Sequence, residues 1–280
     1  MYIEIGEYAF YSNSNLTKII IDKQIAIGNY AFCNCDNLEN VYFYSYEVPT
    51  LGLSAFENTD FTLYVPQSKR NEYVSAFMGY TNDITSIPVT VTFVVEGTVK
   101  NTLNTFYGAN IANVSDGFKI GYNFDGWYDS ADYTGELYSN GGIWDITTDI
   151  TLYAKFAPRS FYISFYGDGS ENLTDKLVTY DQPIGSLPVP VKTGHTFIGW
   201  KDERNVFYDE NTIWKKTSNL ALTSEFTVNL YDITFDAKGG RMNVTGQTVA
   251  YGSVINSFPD AFLEDYVFLG WNTKADGSGD

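Results

Sequence analysis

The stretch GYNFDGWYDS at residues 121–130 contains a Phe-x-Gly-Trp motif that occurs twice more, in GHTFIGWKDE at 194–203 and DYVFLGWNTK at 265–274. The copies lie about 70 residues apart, which is typical of a tandem array of one folding unit. In every copy a tyrosine precedes the tryptophan by the same number of residues. These tyrosines are Tyr107, Tyr180 and Tyr251.

Runs of alternating apolar residues flank the motif. An opening run precedes each copy, as in VTVTF at 89–93, and a closing run follows the first two copies, as in ITLYAKF at 150–156. Alternation with a period of two predicts β-strands that bury one face. The third copy reaches Asp280 soon after its tryptophan. We therefore expect an incomplete third repeat, in a sequence that is a fragment of a longer protein with its targeting signals elsewhere.

The tryptophans of the motif have two interpretations. A regular strand would place the Phe and the Trp on opposite faces, so the glycine between them predicts a bulge or a close backbone approach. A unit of about 70 residues needs its largest apolar side chains in the core, which favours a structural role for Trp127, Trp200 and Trp271. The alternative is that these rings stack on sugars.

A second, shorter period covers the first ninety residues. IGEYAFYSNSNLTKIII at 5–21 returns as IGNYAFCNCDNLENVYF at 27–43, and a shorter copy follows at 54–66. A period of about 22 residues with the pattern L-x-x-I-x-I predicts the stacked coils of a leucine-rich-repeat solenoid. Residues 67–80 have the spacing of an amphipathic helix, opened by Ser68, that would cap this solenoid. Residues 81–88 are interpreted as a linker.

The coil alignment also predicts a binding surface. Residues between the inward-facing positions point outward, and the register stacks three of them in one column, Ile20, Tyr42 and Tyr64, with Tyr44 extending the aromatic patch. Stacked exposed aromatics favour a protein or glycan interface. The alternative is that tyrosine simply favours strands in a tyrosine-rich chain.

Composition excludes several other functions. A net charge of −17 argues against nucleic-acid partners and anionic membranes, and the sequence has no apolar run long enough to span a bilayer. Cys33 and Cys35 are too close in sequence for a relaxed disulfide, so we expect two free thiols. No catalytic motif, cofactor motif or metal pattern is present. His195 occupies a repeat position held elsewhere by tyrosine, and ADGSGD at 275–280 is interpreted as a polar hairpin loop rather than a calcium site.

Two family resemblances account for these patterns. Residues 1–87 resemble the BspA-type leucine-rich repeats of bacterial surface proteins, and residues 89–280 resemble the Listeria–Bacteroides (internalin B-type) repeat. The resemblance implies a mainly β fold with minor α, with β-grasp-like downstream units. Asp265 departs from the glycine found at Gly121 and Gly194, although aspartate tolerates the left-handed backbone of a turn. The implied domains are 1–87 for the solenoid with its capping helix, 89–157 for repeat 1, 161–227 for repeat 2 and 230–280 for an incomplete repeat 3.

The resemblance further implies a non-catalytic fragment of an extracellular protein, secreted or attached to the cell wall. Its expected role is adhesion or protein interaction, with the solenoid as the binding face and the repeats as a stalk. The partner would be a host or extracellular protein or glycan, without nucleic acid, cofactor or membrane insertion. The alternative is a carbohydrate-binding module of a larger secreted protein or enzyme.

Overall fold

A computed structural model describes residues 3–81, 83–112, 114–255 and 257–280. Its secondary structure is almost entirely β, and the one α-helix among the described residues has seven residues. The expectation of a mainly β fold with minor α is therefore confirmed. The chain divides into two compact units, Met1–Ala157 and Pro158–Asp280.

The N-terminal coils of the first unit form two parallel sheets. The sheet order is β1-β3-β5 on one side and β2-β4-β6-β7 on the other. The apolar core lies between them, because alternate strand residues such as Val41, Phe43 and Leu63 are fully buried. The elements are β1 (Ile3–Ile5), β2 (Lys18–Ile21), β3 (Ile25–Ile27), β4 (Asn40–Phe43), β5 (Thr50–Leu51), β6 (Thr62–Val65), a 3-10 turn (Gln67–Lys69), α1 (Arg70–Ala76) and β7 (Ile84–Ser86).

The helix is shorter than the sequence pattern predicts. Helix α1 follows the 3-10 turn and ends at Ala76, and Ser68 does not cap it, since the N-cap residue is Lys69 without a side-chain bond. Tyr73 and Phe77 are fully buried in the core of the coils, as their spacing predicts. The helix therefore packs its apolar face against the coils despite its short length.

The interpretation of residues 81–88 as a linker is wrong for part of this segment. Ile84–Ser86 forms β7, which pairs in parallel with β6 and extends the larger sheet. Ile84 and Ser86 are buried while Thr85 is half-buried, so this short run has the alternation of a strand with one covered face.

Repeat 1 completes the first unit with a five-stranded sheet. Its order is β11-β10-β12-β8-β9, and the closing strand β12 runs parallel to the opening strand β8, with Leu152 opposite Phe93. Val89, Val91 and Phe93 are buried on one face, as the alternation predicts. The strands are β8 (Pro88–Val95), β9 (Thr98–Phe106), β10 (Tyr122–Tyr128), β11 (Leu137–Tyr138) and β12 (Ile150–Pro158).

Repeat 2 has the same sheet in the second unit. Its order is β14-β13-β17-β15-β16, and β17 again pairs in parallel with the opening strand, with Leu222 opposite Phe165. Strand β15 carries the Phe-x-Gly-Trp motif and pairs antiparallel with β17. The strands are β13 (Ser160–Tyr166), β14 (Lys176–Thr179), β15 (His195–Lys201), β16 (Phe207–Tyr208) and β17 (Leu220–Val228).

Repeat 3 has no closing strand among its described residues. Its strands form two separate pairs, β18 with β20 and β19 with β21. Trp271 is only half-buried, whereas Trp127 and Trp200 of the complete repeats are 6% and 1% exposed. Asp265 has a φ of 66°, close to the 71° of Gly194, so the aspartate keeps the turn. The strands are β18 (Leu230–Thr234), β19 (Arg241–Met242), β20 (Gly246–Ala250) and β21 (Ala261–Phe262).

The glycine of the motif redirects the tryptophan, as the sequence predicts. The register of β15 shifts between Phe197 and Gly199, which is a β-bulge. A Cβ on Gly126 would lie 2.2 Å from a methyl carbon of Leu137, so the backbone also makes a close approach. Because of the bulge, the rings of Phe197 and Trp200 contact each other at 5.5 Å on one face. The buried tryptophans of repeats 1 and 2 are therefore structural.

Candidate binding surface

The predicted column of outward-facing residues lies on the larger sheet of the coils. Ile20 on β2, Tyr42 on β4 and Tyr64 on β6 occupy consecutive register positions. Ile20 is 56% exposed and the two tyrosines are half-buried. The column is flanked by a polar column, Lys18, Asn40 and Thr62.

The two tyrosine rings of the column are stacked face to face. The ring centroids of Tyr42 and Tyr64 lie 4.4 Å apart, with an angle of 8° between the planes. The ammonium of Lys18 lies 4.6 Å from the centroid of the Tyr42 ring. Lys18 and Tyr64 belong to strands on opposite sides of β4, so they cover the two faces of the Tyr42 ring. The column therefore presents ring edges and hydroxyls to solvent.

This surface carries phenol hydroxyls, an ammonium and a carboxylate. Burial, followed by the neighbouring phenols of Tyr64 and Tyr44, raises the pKa of Tyr42 above its usual value. A phenol is protonated at neutral pH even at its ordinary pKa, so this hydroxyl can both donate and accept. Lys18 adds a positive charge beside it, and the hydroxyl of Thr62 donates to Asp83 at 2.6 Å. The surface therefore combines phenol hydroxyls and an ammonium with the exposed carboxylate of Asp83 at its edge.

Tyr44 has a second role that sequence reasoning missed. The Tyr107 ring of repeat 1 meets the Tyr44 ring edge-on at 5.6 Å, and the Tyr107 hydroxyl donates to the Tyr44 carbonyl at 2.7 Å. The Tyr46 hydroxyl donates to Asp145 of repeat 1 at 3.0 Å. Tyr44 therefore lies where the coils contact repeat 1, at one end of the aromatic patch. The constant repeat position of Tyr107 was the available signal for this contact.

The two cysteines are buried in the coils as free thiols. The Cys35 thiol donates to the carbonyl of Phe10 at 3.1 Å. One coil later, the hydroxyl of Thr59 donates to the carbonyl of Phe32 at 2.7 Å. Burial raises the pKa of the Cys35 thiol, so it is a poor nucleophile. These positions stabilise the coil turns.

The remaining candidates have structural explanations. The backbone N–H and hydroxyl of Ser278 donate to the Asp276 carboxylate at 3.0 and 2.8 Å and lower its pKa, which is the geometry of a polar turn. The Nδ1 atom of His195 lies 2.9 Å from the carbonyl oxygen of Thr193, within hydrogen-bond distance. Within the described ranges, no group of three or more His, Cys, Asp or Glu residues is placed to hold a metal.

Comparison with protein families accounts for both periods. The Listeria-Bacteroides repeat domain matches residues 90–155, 161–227 and 231–280, more than half of the chain. The chain belongs to the Listeria-Bacteroides repeat family. The BspA type leucine rich repeat region matches residues 3–115, ahead of and into the first Listeria-Bacteroides repeat.

Curated relatives of this Listeria-Bacteroides repeat chain are much longer proteins. Two come from Evansella cellulosilytica. One, provisionally named a membrane protein, is 30% identical over 62% of this chain. The other, provisionally named a Gly-rich membrane protein, is 29% identical over 76% of this chain. Internalin H of Listeria monocytogenes is 36% identical over 40% of this chain. The matched stretches cover 27%, 23% and 20% of those three relatives, so the chain spans about a quarter of their length. None of the helices in the described residues is long and apolar enough to cross a bilayer.

Proposed function

We propose that this chain is a non-catalytic part of an extracellular surface protein, in which the N-terminal coils bind a partner protein and the Listeria-Bacteroides repeats act as a spacer. The names of the relatives, two membrane proteins and an internalin, support a surface location. In this proposal, residues 1–87 are a leucine-rich-repeat solenoid closed by α1, and 89–157, 161–227 and 230–280 are β-grasp-like units. The parallel coil strands and the shared sheet order of repeats 1 and 2 support that division.

The stacked geometry of Tyr42 and Tyr64 carries the assignment of a protein partner. A sugar ring packs on the open face of an aromatic side chain. Both faces of the Tyr42 ring are covered, one by Tyr64 and one by Lys18. The outward groups are ring edges, phenol hydroxyls and an ammonium, which fit the carbonyls and carboxylates of a protein surface. Tyrosine is also enriched among the residues that dominate protein-interface energies.

Binding to immobilised extracellular glycoproteins, such as fibronectin and mucin, tests this proposal against the carbohydrate alternative. The same binding is measured on an array of their released glycans. The double variant Tyr42→Ser/Tyr64→Ser should lose binding to the intact proteins while its melting temperature stays close to the parent's. A matched control is Tyr162→Ser/Tyr166→Ser, which removes two exposed strand tyrosines of repeat 2.

Conservative variants separate the two ligand classes. Tyr42→Phe/Tyr64→Phe keeps the rings and their stacking but removes the hydroxyl donors, so a protein partner held by those donors should bind more weakly. If the parent binds the isolated glycans and Tyr42→Phe/Tyr64→Phe binds them equally well, the carbohydrate-binding alternative would be established instead. Full binding by the serine variant would refute any role of the column.

A further inference from the structure

In repeats 1 and 3, the tyrosine at one repeat position contacts the element that precedes its own repeat. In repeat 1 this residue is Tyr107, whose backbone N–H donates to the carbonyl of Ile87 at 2.9 Å, just before β8. Its ring packs against the coils, edge-on to Tyr44. Gln67 at the end of the coils donates in turn to the Tyr107 carbonyl at 2.8 Å. Tyr107 therefore connects repeat 1 to the coils through both its backbone and its ring.

The same position in repeat 3 makes an equivalent contact with repeat 2. The backbone N–H of Tyr251 donates to the carbonyl of Asn229 at 2.9 Å, just before β18. Its ring lies directly on the backbone of Gly194, since a Cβ at that glycine would be 2.0 Å from two ring carbons. Such a distance is far inside van der Waals contact, so a side chain at position 194 would force the ring or the backbone to shift. The His195 ring meets it edge-on at 6.3 Å.

The connection between repeats 2 and 3 is very short. Asn229 is the single residue between β17 and β18. Its backbone N–H donates to the Gly194 carbonyl at 2.9 Å, and its side-chain oxygen accepts from the Thr196 hydroxyl at 2.6 Å. A one-residue connection with both groups bonded to the preceding repeat has little freedom to rotate.

We propose that Tyr251, Gly194 and Asn229 form a joint that holds repeats 2 and 3 at one fixed angle in solution. The joint would make this part of the spacer stiff, so the second and third repeats move together. The inference deepens the spacer role in the proposed function, but it is tested without any ligand, so its failure leaves the binding surface unaffected.

The distance between spin labels on the two repeats tests the joint. Thr174→Cys in repeat 2 and Asn243→Cys in repeat 3 introduce labels at exposed positions. Cys33 and Cys35 are buried and their thiol pKa values are raised, so they react slowly with the label. Pulsed electron–electron double resonance on the doubly labelled full chain should give a narrow distribution of distances between the two labels. A broad distribution in this parent would overturn the proposal.

Two substitutions should release the joint. Gly194→Ala places a methyl group where the Tyr251 ring lies. Tyr251→Ala removes that ring and leaves the sequence of repeat 2 unchanged. Each substitution should broaden the distance distribution. Gly185→Ala is the matched control, because Gly185 has a similar φ of 74° but its nearest neighbour to an added Cβ is 3.9 Å away. Tyr251→Phe keeps the ring and should retain the narrow distribution. Unchanged distributions in both the Gly194→Ala and Tyr251→Ala proteins would refute the joint.

Discussion

Replacing Trp200 by alanine tests whether the repeated motif is structural. The side chain is 1% exposed, contacts the rings of Phe165 at 4.7 Å and Phe197 at 5.5 Å, and donates from Nε1 to the Pro188 carbonyl at 2.7 Å. Removing a buried tryptophan costs about 3–5 kcal/mol through lost burial and the cavity left behind. The lost hydrogen bond adds about 1 kcal/mol. A unit of about 70 residues has roughly 4–10 kcal/mol of stability in total, so most or all of it would disappear.

Hydrogen exchange measured by mass spectrometry on the full chain locates this loss. Protection of β13 and β17 should fall by about a thousandfold or more, the equivalent of about 4 kcal/mol, while the N-terminal coils keep theirs. Ile198→Ala is the matched control, because Ile198 is 55% exposed and its truncation should change stability by less than about 0.5 kcal/mol. Normal protection in the Trp200→Ala protein, combined with loss of ligand binding, would refute the structural role.

Three further predictions concern single features of the fold. In the coils, Cys35→Ala should lower the melting temperature because it removes the bond to the Phe10 carbonyl, whereas Cys35→Thr should retain it because Thr59 makes the same bond one coil later. Equal melting temperatures for the alanine and threonine variants would contradict this. In repeat 3, residues 230–234 should exchange amide hydrogens faster than β13. Fusing a closing strand such as ITLYAKF C-terminal to Asp280, in the position relative to β18 that β17 has relative to β13, should protect them; slow exchange without the strand would mean that the repeat closes differently. Backbone N–H groups, led by that of Val206, and the Tyr208 hydroxyl lower the pKa of Asp202, so the stability that its carboxylate contributes is present above the unfolded pKa of about 3.9 and is lost as pH falls through the lower folded value. In an acid titration monitored by the hydrogen-exchange protection of repeat 2, the Asp202→Asn protein should therefore lose less stability in that pH window than the parent.

The periodic features of this fold were predictable because they depend on spacing alone. The register of Ile20, Tyr42 and Tyr64 follows from the coil period, and the bulge at Gly199 follows from the need to bring a phenylalanine and a tryptophan to one face. The burial of Trp127 follows from the small size of the repeat.

Other features depend on side-chain rotamers and local competition, which spacing does not determine. The stacking of Tyr42 on Tyr64 is a choice between rotamers that alternation leaves open. The helix ends at Ala76 because the following residues turn, with Gly79 at a φ of 97°, although the apolar spacing continues to Tyr80. Ile84–Ser86 is short enough to resemble a linker until the strand beside it is known. The contact of Tyr251 with Gly194 joins two repeats. The constant repeat position marks the tyrosine, but the pattern within one repeat does not identify its partner in the preceding repeat.

The bonds made by Cys35 and Thr59 have a consequence for how such a protein changes length over evolution. In both cases a small side chain of a later coil donates to a carbonyl of the coil before it. The requirement is only a small donor at one position, so a duplicated coil would bring its own donor and find its acceptor already present. Each inserted coil would add one interface of similar stability and lengthen the outward column by about 4.8 Å, one strand spacing. Gene duplication would thus enlarge the proposed binding face in equal steps without any change to the coils already in place.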